Sequence, residues 1–155
     1  MISLEETLTP ERCFVSVPGG SKKRILEKIA QLIVKEKPHF VQNKVFESLV
    51  AREKLGSTGL GNGVAIPHCR LNNCDSSFSL LLRLEEAIDF DAIDAMPINL
   101  LFVLIVPLSA TDEHLALLKQ VAGLLDDKDT RESLQQAGDA NALYEIATNS
   151  INYNL

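Results

Sequence analysis

Apolar side chains recur at helical spacing in two stretches near the start of the chain. In the first stretch, Ser21 can cap a helix that extends to about Lys35 and carries an apolar stripe of Ile25, Leu26, Ile29, Leu32 and Ile33. A second helix is predicted to begin after Pro38 and to end at Gly56. Its apolar stripe consists of Val45, Phe46, Leu49 and Val50. The pattern up to residue 56 therefore predicts two helices.

The middle of the chain shows the patterns of β-strands. Residues 64–66 predict a short strand directly after a glycine-rich segment. From Phe78 to Leu84 the side chains follow a period of two, which indicates a mostly buried strand. Residues 98–106 are almost continuously apolar, as is typical of a central strand that is covered on both faces.

Helical spacing returns in the last part of the chain. Pro107 closes the preceding strand, and Thr111 or Asp112 can cap a helix whose stripe holds Leu115, Leu118, Val121 and Leu125. Two more helices are predicted around residues 130–136 and 140–148. Because strands and helices interleave, we predict an α/β fold in which a mixed β-sheet is sandwiched by α-helices, as a single domain over residues 1–155.

Composition and charge narrow the class of partner. The formal net charge of −6 argues against a nucleic-acid partner and fits a basic protein partner better. Glu5 and Glu6 stand where a signal peptide would need apolar residues, and the longest apolar stretch, residues 100–106, is too short to insert into a membrane. The cysteines number three, so a disulfide framework is not expected, and we predict a reducing cytoplasm.

The segment at residues 56–63 has four glycines in eight residues and leads to Pro67-His68. Glycines allow close approach to the backbone, and successive exposed N–H groups in such a loop can bind an anion. The segment lacks the Lys-Ser/Thr of a phosphate-binding Walker A loop, and its glycine spacing does not fit a dinucleotide fingerprint. Nucleotide binding is therefore disfavoured.

Three side chains around this segment are candidates for chemistry. Pro67 presents His68 from a stiff backbone, and a neutral imidazole is a nucleophile near neutral pH, although His68 could equally be an ordinary loop histidine. Arg52, near the end of the second helix, can grip phosphoryl oxygens in a fork or simply offset the helix dipole. His114, in the first turn of its predicted helix, can orient His68, can hydrogen-bond a phosphoryl oxygen, or can simply lie at the edge of the core. His39 is interpreted as a surface residue.

A long ordered motif joins these residues and carries a family resemblance. It consists of Arg52-Glu53-Lys54, the Gly-Ser-Thr-Gly-Leu-Gly-Asn-Gly run at residues 56–63, and Ala65-Ile66-Pro67-His68. The chain resembles the enzyme IIA components of the bacterial phosphoenolpyruvate-dependent phosphotransferase system, of the fructose/mannitol/nitrogen type. The nitrogen-regulatory branch is the best match, and the likeness covers nearly the whole chain.

The resemblance implies the role of each site residue. It implies that His68 is phosphorylated as a tele-phosphohistidine, that His114 is its active-site neighbour, and that Arg52 helps to hold the phosphoryl group. It places Ser57 and Thr58 near the phosphoryl group. It requires no cofactor and no metal, and it implies the same mixed sheet flanked by helices.

The resemblance also implies partners. The donor is an HPr-type phosphocarrier protein. The nitrogen-regulatory branch implies regulatory target proteins, such as potassium-transport or sensor proteins, that respond to the phosphorylation state. Two alternatives remain open: a sugar-specific IIA that passes the phosphoryl group to a IIB domain, and a regulatory binding module that is never phosphorylated.

Cys69 departs from the family pattern, which usually has glycine after the active histidine. The substitution can be neutral drift that the local backbone accommodates. It can confer redox sensitivity, through oxidation of Cys69 or a disulfide with Cys74. A metal site from His68, Cys69, Cys74 and His114 is the third interpretation, but the spacing of the two cysteines is a poor match to zinc sites.

Overall fold

A computed structural model describes residues 2–153 of the chain, and its strands form one mixed sheet. The strands are β1 (Cys13–Val17), β2 (Gly59–Gly61), β3 (Val64–Ala65), β4 (His68–Leu71), β5 (Phe78–Ile88) and β6 (Ile98–Pro107). They are arranged in the order β1-β5-β6-β3-β2, and β4 also pairs with β6. β6 runs antiparallel to β5 and parallel to both β3 and β4.

Helices cover both faces of this sheet. They are α1 (Leu4–Thr7), α2 (Lys22–Glu36), α3 (Gln42–Lys54), α4 (Thr111–Asp126), α5 (Lys128–Gln135) and α6 (Ala140–Tyr153). α2 and α3 pack on one face and the other four helices on the opposite face, so there are two hydrophobic cores. This arrangement confirms the predicted α/β fold with a sandwiched mixed sheet. No helix within residues 2–153 is long and apolar enough to cross a membrane.

The burial of β6 on both faces explains why its sequence is almost continuously apolar. Alternate side chains of a strand point to opposite faces of the sheet. In β6, Leu101, Val103 and Ile105 belong to the core under α2 and α3, whereas Leu100, Phe102 and Leu104 belong to the other core. The prediction of a central strand covered on both faces is therefore confirmed, and the strand includes Pro107.

Helix α4 differs from the prediction in its cap and in its buried stripe. Ala110 occupies the N-cap position without a side-chain cap, because the turn after Pro107 brings the chain directly into a helix that already includes Thr111 and Asp112. Leu115, predicted to be buried, is 57% exposed. The buried residues of the helix are Leu117, Val121, Leu124 and Leu125.

The other helices lie close to their predictions. Ser21 caps α2 by accepting a hydrogen bond from the main-chain N–H of Arg24. α5 begins slightly earlier than expected because Asp127 caps it, and α6 extends beyond the predicted residue 148. Strands β1, β2 and β4 were not predicted, and β5 is longer than expected, since it continues to Ile88.

Candidate active site

His68 is the first residue of an edge strand, β4, not part of an irregular loop. β3 and β4 lie along the same edge of β6, and Pro67 joins the two segments, with its carbonyl accepting the main-chain N–H of Leu104 at 3.0 Å. His68 pairs with Leu104, whose side chain lies in the core under α4. Paired residues of parallel strands share a face, so the imidazole lies on the α4 side of the sheet.

Two hydrogen bonds orient the imidazole of His68. Its Nδ1 lies 2.7 Å from the carbonyl oxygen of Ile66, and Arg52 Nε donates to its Nε2 at 3.0 Å. A carbonyl can only accept a hydrogen bond, so the proton of the neutral ring is on Nδ1 and the lone pair is on Nε2. The donor on the Nε2 side agrees with this tautomer. The nucleophilic atom of the ring is therefore Nε2.

The surroundings keep His68 neutral. Burial lowers the pKa of His68 below its ordinary value, and the positive charge of Arg52 acts in the same direction. The hydrogen bond to Ile66 and the charge of Glu53 oppose this shift but do not cancel it. A neutral ring keeps its Nε2 lone pair available near neutral pH.

Arg52 reaches His68 from the opposite side of the sheet edge. It lies in the last turn of α3, and besides its bond to His68 it donates from Nη1 to the carbonyl oxygen of Gly56 at 2.9 Å. The guanidinium thus joins the end of the helix, the start of the glycine-rich loop and the imidazole. The alternative of a solvated arginine that only offsets the helix dipole does not describe this half-buried side chain.

His114 contacts His68 from the first turn of α4. The ring centroids are 5.3 Å apart, with an interplanar angle of 66°. Burial lowers the pKa of His114 to about 4, and the charges of His68, Arg70 and Arg52 contribute to the shift. Within residues 2–153, the buried Nε2 atom of His114 finds no hydrogen-bond partner. The site thus holds two neutral imidazoles beside the Arg52 guanidinium, while His39 is exposed elsewhere, against the carbonyl of Asn73.

The depressed pKa of His114 predicts a loss of stability in acid. An unfolded histidine takes up its proton near pH 6.5, but folded His114 does so only near pH 4, so the unfolded state binds more protons between these values. The contribution is complete above about pH 6.5 and is lost as the pH falls to about 4. We expect urea midpoints of the wild type to fall over this range, and those of His114→Asn to fall less steeply. Parallel profiles for the two proteins would contradict the assignment.

The hydroxyl groups of Ser57 and Thr58 form bonds within the loop. Ser57 Oγ donates to the carbonyl oxygen of Phe90 at 2.8 Å and accepts the N–H of Gly59 at 3.0 Å. The main-chain N–H of Thr58 lies 3.1 Å from both carboxylate oxygens of Glu53, and its hydroxyl donates to the same carboxylate. These bonds fix the shape of the loop after Arg52. We propose that Ser57 and Thr58 act by shaping the loop and do not hold the phosphoryl group themselves.

Glu53 and Lys22 form an ion pair behind this loop that sequence reasoning missed. The side chain of Glu53 is 6% exposed, and its Oε1 lies 2.9 Å from Lys22 Nζ. Lys22 also lies 3.5 Å from Asp91 and over the ring of Phe90. The partners are brought together by the fold, and the only sequence signal was that Glu53 follows Arg52.

Removing the Glu53 charge is expected to destabilise the protein. Glu53→Gln leaves Lys22 without its buried partner, which we expect to lower the free energy of unfolding by about 2 kcal/mol. Glu27→Gln is the matched control, because Glu27 pairs with Lys23 at 4.0 Å on the surface of α2. That change should cost less than about 0.5 kcal/mol. Urea denaturation measures both free energies of unfolding. Equal losses would show that the buried ion pair contributes no more to stability than the exposed one.

Cys69 fits its place without backbone strain. It does not appear among the described residues with positive φ, and its side chain is buried in the core under α2 and α3. Burial raises the pKa of the Cys69 thiol to about 12 and that of Cys74 to about 11, which keeps both thiols protonated and slow to oxidise. These observations favour neutral drift over redox sensitivity.

A metal site that includes both His68 and Cys69 conflicts with the strand geometry. Successive residues of β4 point to opposite faces of the sheet, so one ion cannot bind both side chains. In the part of the chain that the structure describes, no group of three or more His, Cys, Asp or Glu side chains could hold a metal ion.

Comparison with known proteins relates this chain to a family. Residues 6–150 match the family described as "Phosphoenolpyruvate-dependent sugar phosphotransferase system, EIIA 2". A nitrogen regulatory protein of Pseudomonas aeruginosa is 59% identical over 146 residues, which cover 94% of this chain and 95% of that one. A nitrogen regulatory protein of Escherichia coli is 44% identical, over 96% of this chain and 91% of that one.

Solved structures agree with the sequence comparison. The crystal structure of the nitrogen regulatory protein IIA-Ntr from Neisseria meningitidis superposes with a TM-score of 0.87 at 41% identity, covering 93% of this chain and 98% of that one. The mannitol IIA of Escherichia coli, at 20% identity and a TM-score of 0.74, covers 90% and 98% and shows the shared fold alone. The chain therefore belongs to the EIIA 2 family of the phosphoenolpyruvate-dependent sugar phosphotransferase system.

Proposed function

We propose that this chain is a regulatory phosphoryl carrier that accepts a phosphoryl group on Nε2 of His68 from an HPr-type phosphohistidine carrier. The observation that carries the proposal is the bond between His68 Nδ1 and the Ile66 carbonyl, which fixes the tautomer with its lone pair on Nε2. A phosphoryl group attached there is a tele-phosphohistidine. The free thiols of the described residues fit a reducing cytoplasm, where we place the reaction.

The transfer step balances without a proton change at His68. Its Nε2 lone pair forms a bond to phosphorus while the bond between phosphorus and the donor imidazole breaks, and the electron pair stays with the donor nitrogen. The proton stays on Nδ1 of His68, which keeps its hydrogen bond to the carbonyl oxygen of Ile66 throughout. Such a step depends mainly on positioning and on stabilisation of the charge on the phosphoryl oxygens.

Arg52 has to move for this step. Its Nε donates to the same lone pair that attacks phosphorus, so the bond at 3.0 Å must open when the donor arrives. The freed guanidinium can then donate to two phosphoryl oxygens in its fork geometry, while Gly56 holds Nη1 in place. Arg52 therefore protects the nucleophile in the resting state and binds the phosphoryl group in the reaction.

His114 is the second group that we assign to the phosphoryl oxygens. Because its ring is neutral, one ring nitrogen carries a proton and can donate a hydrogen bond. Its buried Nε2 is unpartnered among the described residues, so it is available for a phosphoryl oxygen. No cofactor or metal takes part in the proposed step.

The downstream role that we propose is regulation. The phosphoryl group adds negative charge to a chain of net charge −6 and changes which proteins bind beside His68. The names of the Pseudomonas and Escherichia relatives support the nitrogen-regulatory branch. Potassium-transport or sensor proteins are the targets that we would examine first.

The phosphoryl transfer is tested by intact mass after incubation with phosphoenolpyruvate, enzyme I and an HPr-type carrier. We expect one acid-labile phosphoryl adduct, and phosphorus NMR should assign it to Nε2. A charged carrier that gives no adduct on this chain would contradict the proposal and favour a module that acts by binding alone.

A second incubation separates the regulatory role from sugar transport. The phosphorylated chain is mixed with IIB domains of fructose and mannitol permeases, and loss of the phosphoryl group is followed over time. We expect no transfer. Rapid transfer to one of them would support the sugar-specific alternative. A relative from Haloferax volcanii is named as a fructose-specific EIIA component, and it is 30% identical over 90% of this chain and 92% of that one.

A further inference from the structure

Glu113 links the first turn of α4 to two distant parts of the chain. Its Oε1 accepts the main-chain N–H of Ile2 at 2.9 Å, and its Oε2 accepts the hydroxyl of Ser77 at 2.9 Å. Ser77 is only 2% exposed and directly precedes β5. One carboxylate therefore joins the N-terminal segment, the start of a central strand and the turn that contains His114.

The first turn of α4 depends on these bonds because it lacks the usual cap. Ala110 is the N-cap residue, and in the described part of the chain no side chain accepts a hydrogen bond from the N–H groups at this end. Around this turn Leu108, Ser109 and Leu115 are exposed, while Ala110 is partly buried against the core. The two bonds of Glu113 join this turn to Ile2 and to Ser77, which are distant from it in sequence.

The imidazole of His114 has few constraints of its own. It packs edge-on against His68, and its buried Nε2 makes no hydrogen bond to any described residue. The position of the ring therefore follows the position of the backbone at residue 114. A shift of about 1 Å in a group that contacts the reacting atoms can cost as much as about 100-fold in rate.

We propose that Glu113 is a positioning residue, which holds the ring of His114 against His68 by tying the first turn of α4 to Ile2 and Ser77. The inference rests on the proposed function, since it assigns Glu113 to the transfer of the phosphoryl group to His68. Glu113 does not touch the reacting atoms. Its effect passes through the backbone to the residue that follows it.

The test compares three substitutions with a matched control. Glu113→Ala removes both bonds, Ser77→Ala removes one of them, and Glu113→Gln keeps an acceptor for Ile2 and a polar group for Ser77. Asp112→Asn is the control, because it neutralises an exposed acid in the same turn. The rate of phosphoryl transfer from a charged HPr-type carrier is measured for each variant. The ring signals and titration of His114 are followed by NMR.

We expect Glu113→Ala to lower the rate about 10-fold, Ser77→Ala to have a smaller effect, and Glu113→Gln and Asp112→Asn to stay within about threefold of wild type. In Glu113→Ala, the His114 ring signals should move, and its titration should shift towards the ordinary value as the ring becomes more exposed. If Glu113→Ala transfers at the wild-type rate with unchanged His114 signals, the proposal is wrong.

The outcomes also separate this inference from the proposed function. If the wild type accepts no phosphoryl group, the proposed function fails and the kinetic part of this inference fails with it, while the His114 signals still decide whether Glu113 positions the ring. If the wild type is phosphorylated and only the Glu113 effect is missing, the function stands and the inference falls. Should Glu113→Ala not fold, Ser77→Ala decides, because it removes one of the two bonds: an unchanged transfer rate with unchanged His114 signals in Ser77→Ala would overturn the inference.

Discussion

His68→Ala is expected to abolish phosphoryl acceptance, whereas His39→Ala should accept at the wild-type level. His68 alone combines a fixed Nε2 lone pair, a guanidinium donor and a neighbouring imidazole. His39 is exposed and contacts none of these groups; its ring lies against the carbonyl of Asn73. Without the His68 imidazole the site loses the lone pair that the bonds to Ile66 and Arg52 orient, so we expect the loss to be complete and independent of the time of incubation.

Intact mass after incubation with the charged carrier measures this result. A wild-type thermal transition in His68→Ala excludes unfolding as the cause. An adduct that persisted in His68→Ala would place the acceptor elsewhere. His114 would then be the first residue to substitute, because its ring lies 5.3 Å from that of His68.

Arg52→Ala has the second largest expected effect, a loss of transfer rate on the order of 10²–10³. The guanidinium is a fixed positive charge that hydrogen-bonds directly to His68, and its fork can bind two phosphoryl oxygens. Arg52→Lys should recover part of the rate, because an ammonium group supplies the charge without the fork geometry. Rapid-quench measurement of transfer from the carrier gives the three rates.

Lys54→Ala is the control for Arg52. Lys54 lies two residues further along the last turn of α3 and is exposed, so its removal changes the net charge equally. We expect its rate to stay within about twofold of wild type, since exposed charges are screened by solvent and salt. The pKa of His68 should rise in Arg52→Ala and remain unchanged in Lys54→Ala, because the Arg52 charge lowers it. Equal rates for the two alanine variants would remove Arg52 from the mechanism.

The elements that the sequence predicted well are those with a strong and local signal. β6 is apolar on both faces over its whole length, and α2 has both a capping residue, Ser21, and a regular stripe. β1 gave no such signal, because its pairing with β5 is irregular after Phe14 and Ser16 adopts a positive φ, so no alternation survives. β4 has only four residues, too few to establish a period.

In α4 the predicted stripe was right at Val121 and Leu125 but wrong at Leu115, for a different reason. Leucines occupy several faces of this helix, and the choice between Leu115 and Leu117 depends on how the helix lies on the sheet. The exposed Leu115 is next to His114, at the open side of the site. The buried face is selected by tertiary packing, which cannot be determined from the spacing of the leucines.

The site shows the same division. The motif and the resemblance predicted that Arg52, His68 and His114 lie together, and the structure shows both contacts of His68. The supporting carboxylates were beyond reach of sequence reasoning. Glu113 bonds to groups 36 and 111 residues away, and only the fold brings such partners into contact.

The longest strands of this sheet are kept away from its edges. β5 and β6, of 11 and 10 residues, have neighbours on both sides, whereas the outer strands β1, β2 and β4 have five, three and four. Short outer strands offer few free backbone groups to another chain, and Pro67 removes one more donor beside β4. A partner that approaches His68 therefore finds little free backbone on which to add a strand. This arrangement favours recognition of His68 through side chains, and it keeps the long apolar pair of strands, β5 and β6, flanked on both sides by shorter ones.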